Sequence, residues 1–253
     1  MNKYNIKQIL LIILIIIVVG TVILSIKPKE TIAPIDAVDD KTTVDSGKIF
    51  NICYYRSTIT DNNLYDVAWL KLNIQGEKIN GEFHNVPAEK DSKIGSFEGT
   101  VGLVDQKIMA RTANVWWSSK AEGMEVKEEL EIQFGDGSAT AGFGEMIDRG
   151  DGVYVYKDKE NLNYIEQMNQ YDCKYLDEKL FAEKYIKDNI KTIATNAPVL
   201  GGSWYVVSAS INPAIKSGEV TYEDGHILSK AKIEYTYQNN PNSLVITKFE
   251  VIK

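Results

Sequence analysis

Side chains that commonly do chemistry are thinly supplied in this sequence. Its 253 residues contain two histidines, His84 and His226, and two cysteines, Cys53 and Cys173, all widely separated. Zinc sites gather Cys and His ligands at short spacings, and that pattern is missing. Asp148-Arg149-Gly150-Asp151-Gly152 combines acids and glycines, but its oxygens do not alternate as an EF-type calcium loop requires. It reads as a tight turn, the Arg149-Gly150-Asp151 tripeptide included, and Asp224-Gly225-His226 reads as a hairpin turn. No serine sits in a G-x-S-x-G elbow, and no cysteine lies near a histidine in sequence. Glycines precede strand patterns rather than opening helices, so no phosphate loop is present. With 35 acids in the chain, carboxylate pairs arise by chance. No metal, cofactor or catalytic residue is assigned. The formal charge of −7 also argues against nucleic acid, which needs a cationic surface to neutralise phosphates.

What remains is a set of polar residues in phase with apolar strand faces. Arg56 shares phase with Phe50 and Ile52, and Asp66 with Ala68 and Leu70. Arg111 goes with Ala113, Val115 and Trp117. Glu128 goes with Val126 and Leu130, and Glu145 with Ala141 and Phe143. If these faces line a barrel, two arginines and three carboxylates meet inside it. Unpaired there, each charge would cost roughly several kcal/mol, so they must pair or be hydrated. One reading is a pocket for a small polar or amphiphilic ligand, contacted by Arg111 and Trp117. The other is an internal ion-pair network. In the Trp116-Trp117 pair, strand geometry sends one indole to the core and the other outward.

The elements that must position these residues are strands. From Ile49 to about Tyr156, segments recur at 49–59, 64–74, 78–86, 95–104, 108–118, 125–134, 139–147 and 152–157, the spacing of all-β domains. Turn residues separate them at Asp61-Asn62-Asn63, Gln75-Gly76, Gly135-Asp136-Gly137 and Gly150-Asp151-Gly152. Eight consecutive strands with short connections predict an antiparallel meander, and closing it into a barrel over 49–174 removes exposed edges. After Cys173 the period changes. Leu176, Leu180, Phe181, Ile186, Ile190 and Ile193 predict an amphipathic helix over 175–195, packing by Leu180, Ile186 and Ile190 and ended by Asn196-Ala197-Pro198. Four strands follow, at 203–212, 218–224, 227–238 and 243–252. Residues 175–253 thus read as a helix on a four-stranded antiparallel sheet, so the chain is mainly β with an α+β tail.

Upstream, Ile9 to Ile26 is a charge-free run of Ile, Leu and Val, just long enough to cross a hydrocarbon core of roughly 30 Å. No small-x-small cleavage site follows it, and no cysteine follows it closely enough for lipidation. Residues 9–26 therefore predict a single-pass transmembrane helix in contact with membrane lipid, with 1–8 as a cytoplasmic tail. Lys3 and Lys7 on one side and Lys27 and Lys29 on the other leave orientation open by charge. The short N-terminal tail and long acidic C-terminal region favour an extracytoplasmic soluble part. Residues 27–48, with two prolines and no aromatics, read as a linker.

Residues 52–173 resemble a family of uncharacterised bacterial envelope proteins and lipoproteins. The resemblance rests on Cys53-Tyr54, on Glu89-Lys90-Asp91 with Gly95-Ser96-Phe97 and Gly99, on Ser119 with Glu122-Gly123, on Gly142-Phe143-Gly144 and on Asp172-Cys173. It implies an exported location and no activity. It also places a cysteine at each end of the domain. With the export that the anchor implies, and with the ends of a closed meander as neighbours, this predicts a Cys53–Cys173 disulfide; two free thiols are the alternative. On function the sequence supports a non-enzymatic, membrane-tethered module that binds a ligand or partner. The alternatives are a carboxylate-based envelope hydrolase, needing two acids about 5–10 Å apart in a cleft, and a structural or inhibitory partner of another envelope protein.

Overall fold

The structure, a computed structural model, describes residues 48–61, 64–164, 166–199, 201–238 and 243–252. The expected tail, the anchor at 9–26 and the linker up to residue 47 lie outside the described residues. Among the described residues no helix is long and apolar enough to cross a membrane.

Eight strands close into an antiparallel barrel: β1 (Ile49–Ile59), β2 (Tyr65–Gln75), β3 (Lys78–Val86), β4 (Lys93–Asp105), β5 (Ala110–Ala121), β6 (Met124–Gly135), β7 (Ser138–Ala141) and β10 (Gln167–Tyr171). The first six pair in sequence order, β6 pairs with β7, β7 with β10, and β10 returns to β1 with Cys53 opposite Tyr171. Local chemistry sets the turns. Glu122-Gly123 and Asp136-Gly137 each place two successive residues at positive φ, as two-residue hairpins require. The period-2 alternation puts Leu70, Leu72, Phe83, Val115, Trp117, Ile132 and Met168 inside, where they fill the barrel. Gly81 is needed on that inner face, since a Cβ there would lie 1.9 Å from the Lys71 carbonyl oxygen.

The closing strand differs from the expected one. The run 139–147 ends early, at Ala141, and 152–157 does not enter the barrel. Instead β8 (Met146–Asp148) and β9 (Val153–Tyr156) form a hairpin arm, with β9 running parallel to the first half of β6. The break has a packing cause. A Cβ at Gly142 would meet the Tyr164 ring at 2.9 Å, and Phe143 bridges to Asn163, so the returning chain crosses there. Closure then falls to Gln167–Tyr171, whose buried Met168 supplies the missing inner position.

Helix α1 (Cys173–Ile193) begins at Asp172, whose side chain accepts a hydrogen bond from the Lys174 amide. The predicted face of Leu180, Ile186 and Ile190 is divided between two partners. At 100° per residue, Leu176 and Leu180 lie about 100° around the helix from the stripe of Ala182, Ile186 and Ile190. The first pair packs on the outer barrel wall with Cys53 and Trp69. The second stripe packs on Ile211, Val220, Tyr222 and Ile233 of a four-stranded antiparallel sheet, β11 (Tyr205–Asn212), β12 (Ser217–Glu223), β13 (Leu228–Thr236) and β14 (Val245–Ile252). A helix covered by two partners must neutralise the polar residues that fall between them. Lys179 donates to the Ile211 carbonyl and pairs with Glu183 at 2.7 Å; Glu178 receives Lys216 and the Tyr235 hydroxyl. The disulfide Cys53–Cys173 is present and joins β1 to the first residue of α1.

Candidate functional site

The strand register separates the predicted charges. Arg111 pairs with Phe134 near the end of β6, whereas Glu128 sits opposite Trp117. Six residues of strand place them about 20 Å apart, at opposite mouths of the barrel. Arg56, Asp66, Trp117 and Glu128 share one mouth, and each is already engaged. Glu128 is buried and receives Lys93 at 2.6 Å, with the same ammonium 5.6 Å from the Trp117 ring centre. Arg56 pairs with Glu166 at 2.9 Å, and the Asp66 carboxylate accepts from the Ala88 amide at 2.7 Å. Trp117 donates its indole N–H to the Gly95 carbonyl. A cleft of about 160 Å³ remains beside Asn85, Lys93, Trp117 and Glu128. Glu145 is not inward at all. It lies on the approach to the arm, exposed, and pairs with Lys157 at 2.8 Å, because the chain leaves the barrel after Ala141.

Sequence reasoning missed Lys93 and Glu166, the partners of Glu128 and Arg56. Lys93 stands in phase with Gly95 and Phe97, so starting the strand two residues earlier would have placed it inside. Glu166 carries no such signal, because only the unforeseen closing strand brings it to Arg56.

The other mouth is built differently. The first half of β1, the end of β2, the β4–β5 hairpin, the end of β6 and β10 surround a cup of about 420 Å³. Its walls are Phe50, Ile52, Tyr54, Ile74, Val104 and Phe134, and Arg111 reaches into it. A register shift between Val101 and Val104 lets the Arg111 Nε donate to the Gly102 carbonyl at 2.8 Å. That bond fixes the guanidinium while leaving its other N–H groups unengaged by this contact. Burial holds the group below the ordinary arginine value, and no neighbouring carboxylate offsets this. Among the described residues, no acid forms an ion pair with Arg111. Asp136 and Gln170 also line the cup, but Asp136 forms no ion pair with Arg111, and a largely apolar cup with one fixed cation is suited to a small amphiphilic anion.

The remaining motifs settle into structural roles. His84 stacks on Trp69 at 3.8 Å, and burial, with Lys71 nearby, lowers its pKa to about 4. His226 follows a Gly225 turn at positive φ, braced by Asp224. Arg149 and Asp151 pair with each other across the arm's turn, and the guanidinium lies over Trp116. Trp116 is the half-buried indole of its pair, and Trp117 the core one. Among the described residues no group of three His, Cys, Asp or Glu side chains could hold a metal ion. Burial raises Glu183 above the usual carboxylate range, but it pairs with Lys179, and Asp188, which lines the same cleft, pairs with Lys184.

Fold and site together define a closed eight-stranded barrel with an apolar, single-arginine mouth and a helix-and-sheet unit on its outer wall. Comparison with protein-family models, curated proteins and solved structures finds no match to this chain.

Proposed function

We propose that the protein is a membrane-tethered, extracytoplasmic binding module whose cup takes a small amphiphilic anion, the apolar part against Phe50, Ile52 and Phe134 and the charge on Arg111. The observation that carries this reading is Arg111 itself, a fixed cation without an acidic partner among the described residues, in an apolar cavity of ligand size. The tether is supported by the charge-free run at 9–26. The exported side is supported by the Cys53–Cys173 disulfide, a bond that persists in oxidising compartments, and by the resemblance of residues 52–173 to bacterial envelope proteins.

The test uses the full chain in lipid nanodiscs and saturation-transfer NMR with hexanoate and hexylamine. Hexanoate should receive transfer along its alkyl chain, and hexylamine much less. Losing a charged hydrogen bond costs about 1.5–3 kcal/mol, so Arg111→Leu should weaken hexanoate about tenfold or more. Equal signals from the wild type and Arg111→Leu would remove Arg111 as the anion site and the reading with it. Separately, N-terminal sequencing of membrane-derived protein should find residues 9–26 still attached; a start beyond Ser25 would overturn the tether.

A further inference from the structure

The cup is ringed by apolar side chains that the barrel leaves uncovered. The β4–β5 hairpin carries Leu103, Val104, Ile108 and Met109 at its end, 65%, 52%, 49% and 61% exposed, and β1 opens with Ile49 and Phe50 at 59% and 46%. Phe50, Val104 and Met109 line the cup itself, so the six form a collar about one mouth. The opposite mouth carries the Arg56–Glu166 and Lys93–Glu128 ion pairs, with three exposed apolar residues, Ile59, Ile94 and Met124, at that end. Met109 adds a second sign. Its φ of 51° lies in the left-handed region that glycine or asparagine occupies with less strain. A large apolar side chain nonetheless stands there, 61% exposed at the rim.

We infer that this collar docks the barrel mouth onto a lipid surface. The occupant follows from where the chain enters. The described residues begin at Lys48, immediately before Ile49, so the chain that leads back to the apolar run at 9–26 leaves the barrel at this rim. The mouth at which the described chain begins also carries the larger set of exposed apolar residues, six against Ile59, Ile94 and Met124 at the other end. Docking would put the cup against the acyl region, from which an amphiphilic anion could enter without crossing water. The inference rests on the reading of 9–26 as a membrane anchor, and its test reports on that segment separately.

The full chain is reconstituted in phosphatidylcholine–phosphatidylglycerol vesicles that contain a phospholipid with a diazirine in its acyl chain. After irradiation, lipid adducts are mapped by mass spectrometry. Adducts are expected at 49–50 and 103–109 as well as within 9–26. The double variant Leu103→Asp/Ile108→Asp, whose side chains lie outside the barrel core, should lose the collar adducts at least fivefold and keep those at 9–26. Adducts at 9–26 alone would leave the anchor standing and overturn docking. Equal labelling of other exposed apolar residues, such as Ile215 and Leu228, would overturn it as non-specific. Lysine cross-links between Lys107 residues of two copies, in place of lipid adducts, would assign the face to self-association and overturn it too. Collar adducts without any at 9–26 would support docking while refuting the anchor.

Discussion

Reduction of the Cys53–Cys173 bond should destabilise the protein by about 5 kcal/mol. The bond spans 120 residues of sequence. On the chain-entropy relation a loop of that length costs the unfolded chain about 16 cal/mol/K, or about 4.9 kcal/mol at 25 °C. Nothing in the folded barrel need move for this loss to occur. Cys53 is buried on the outer wall of β1, and its neighbours Trp69 and Leu176 hold the two thiols in place after reduction. The closing pairing between β1 and β10 also survives, since its register does not depend on the sulfurs. The native state therefore remains similar and the unfolded state expands. Urea denaturation of the full chain in nanodiscs, followed by tryptophan fluorescence with and without reductant, measures the difference. With a slope of about 2.5 kcal/mol/M, the midpoint should fall by about 2 M, and the slope should rise as the unfolded chain exposes more surface. Comparing oxidised and reduced wild type keeps the atoms constant, which a Cys53→Ala variant would not. A midpoint shift under about 0.4 M, with both thiols shown to be free, would refute the reasoning. It would mean that the unfolded chain is held compact by something other than the bond.

Three further outcomes follow from buried groups. Replacing Ile186, fully buried between α1 and the four-stranded sheet, with Asp should cost on the order of 3 kcal/mol or more; a variant melting within a degree of wild type would show that the stripe is not packed. Lys179→Met strands the Glu183 carboxylate in the helix interface and should cost about 3–5 kcal/mol, whereas Lys179→Met/Glu183→Gln should recover much of it; additive losses in denaturant melts would refute the pairing. His84, neutral in the fold with a pKa near 4 against 6.5 unfolded, lets the unfolded state bind more protons between those values. Stability from this group is therefore complete above pH 6.5 and is lost as pH falls toward 4. Because the ring is only partly buried, the loss is about 1 kcal/mol, read as the pH-dependent part of the difference between wild type and His84→Gln; parallel pH curves for the two proteins would count against it.

The sequence by itself determined what depends on neighbours in the chain. Strand alternation separated the inner and outer faces of β2, β5 and β6, so Leu70, Trp117 and Ile132 were legible as core and Trp116 as the outer indole. Turn residues such as Asp136-Gly137 fixed hairpin positions, and Asn196-Ala197-Pro198 marked the end of α1 within a few residues. The candidate site was legible only as a list of inward-phase charges. Tertiary structure decided how they were divided, because a period of two says which face a side chain takes but not how far along the barrel it sits. Register put Arg111 at one mouth and Glu128 at the other. Closure by Gln167–Tyr171 brought Glu166 to Arg56 across 110 residues, a contact with no local signature. How the buried arc of α1 is divided was likewise hidden, since a single apolar moment cannot say which part of a broad face each partner covers. Whether Arg111 meets a carboxylate or stands alone in an apolar cup is a question of non-local packing, and the fold alone could answer it.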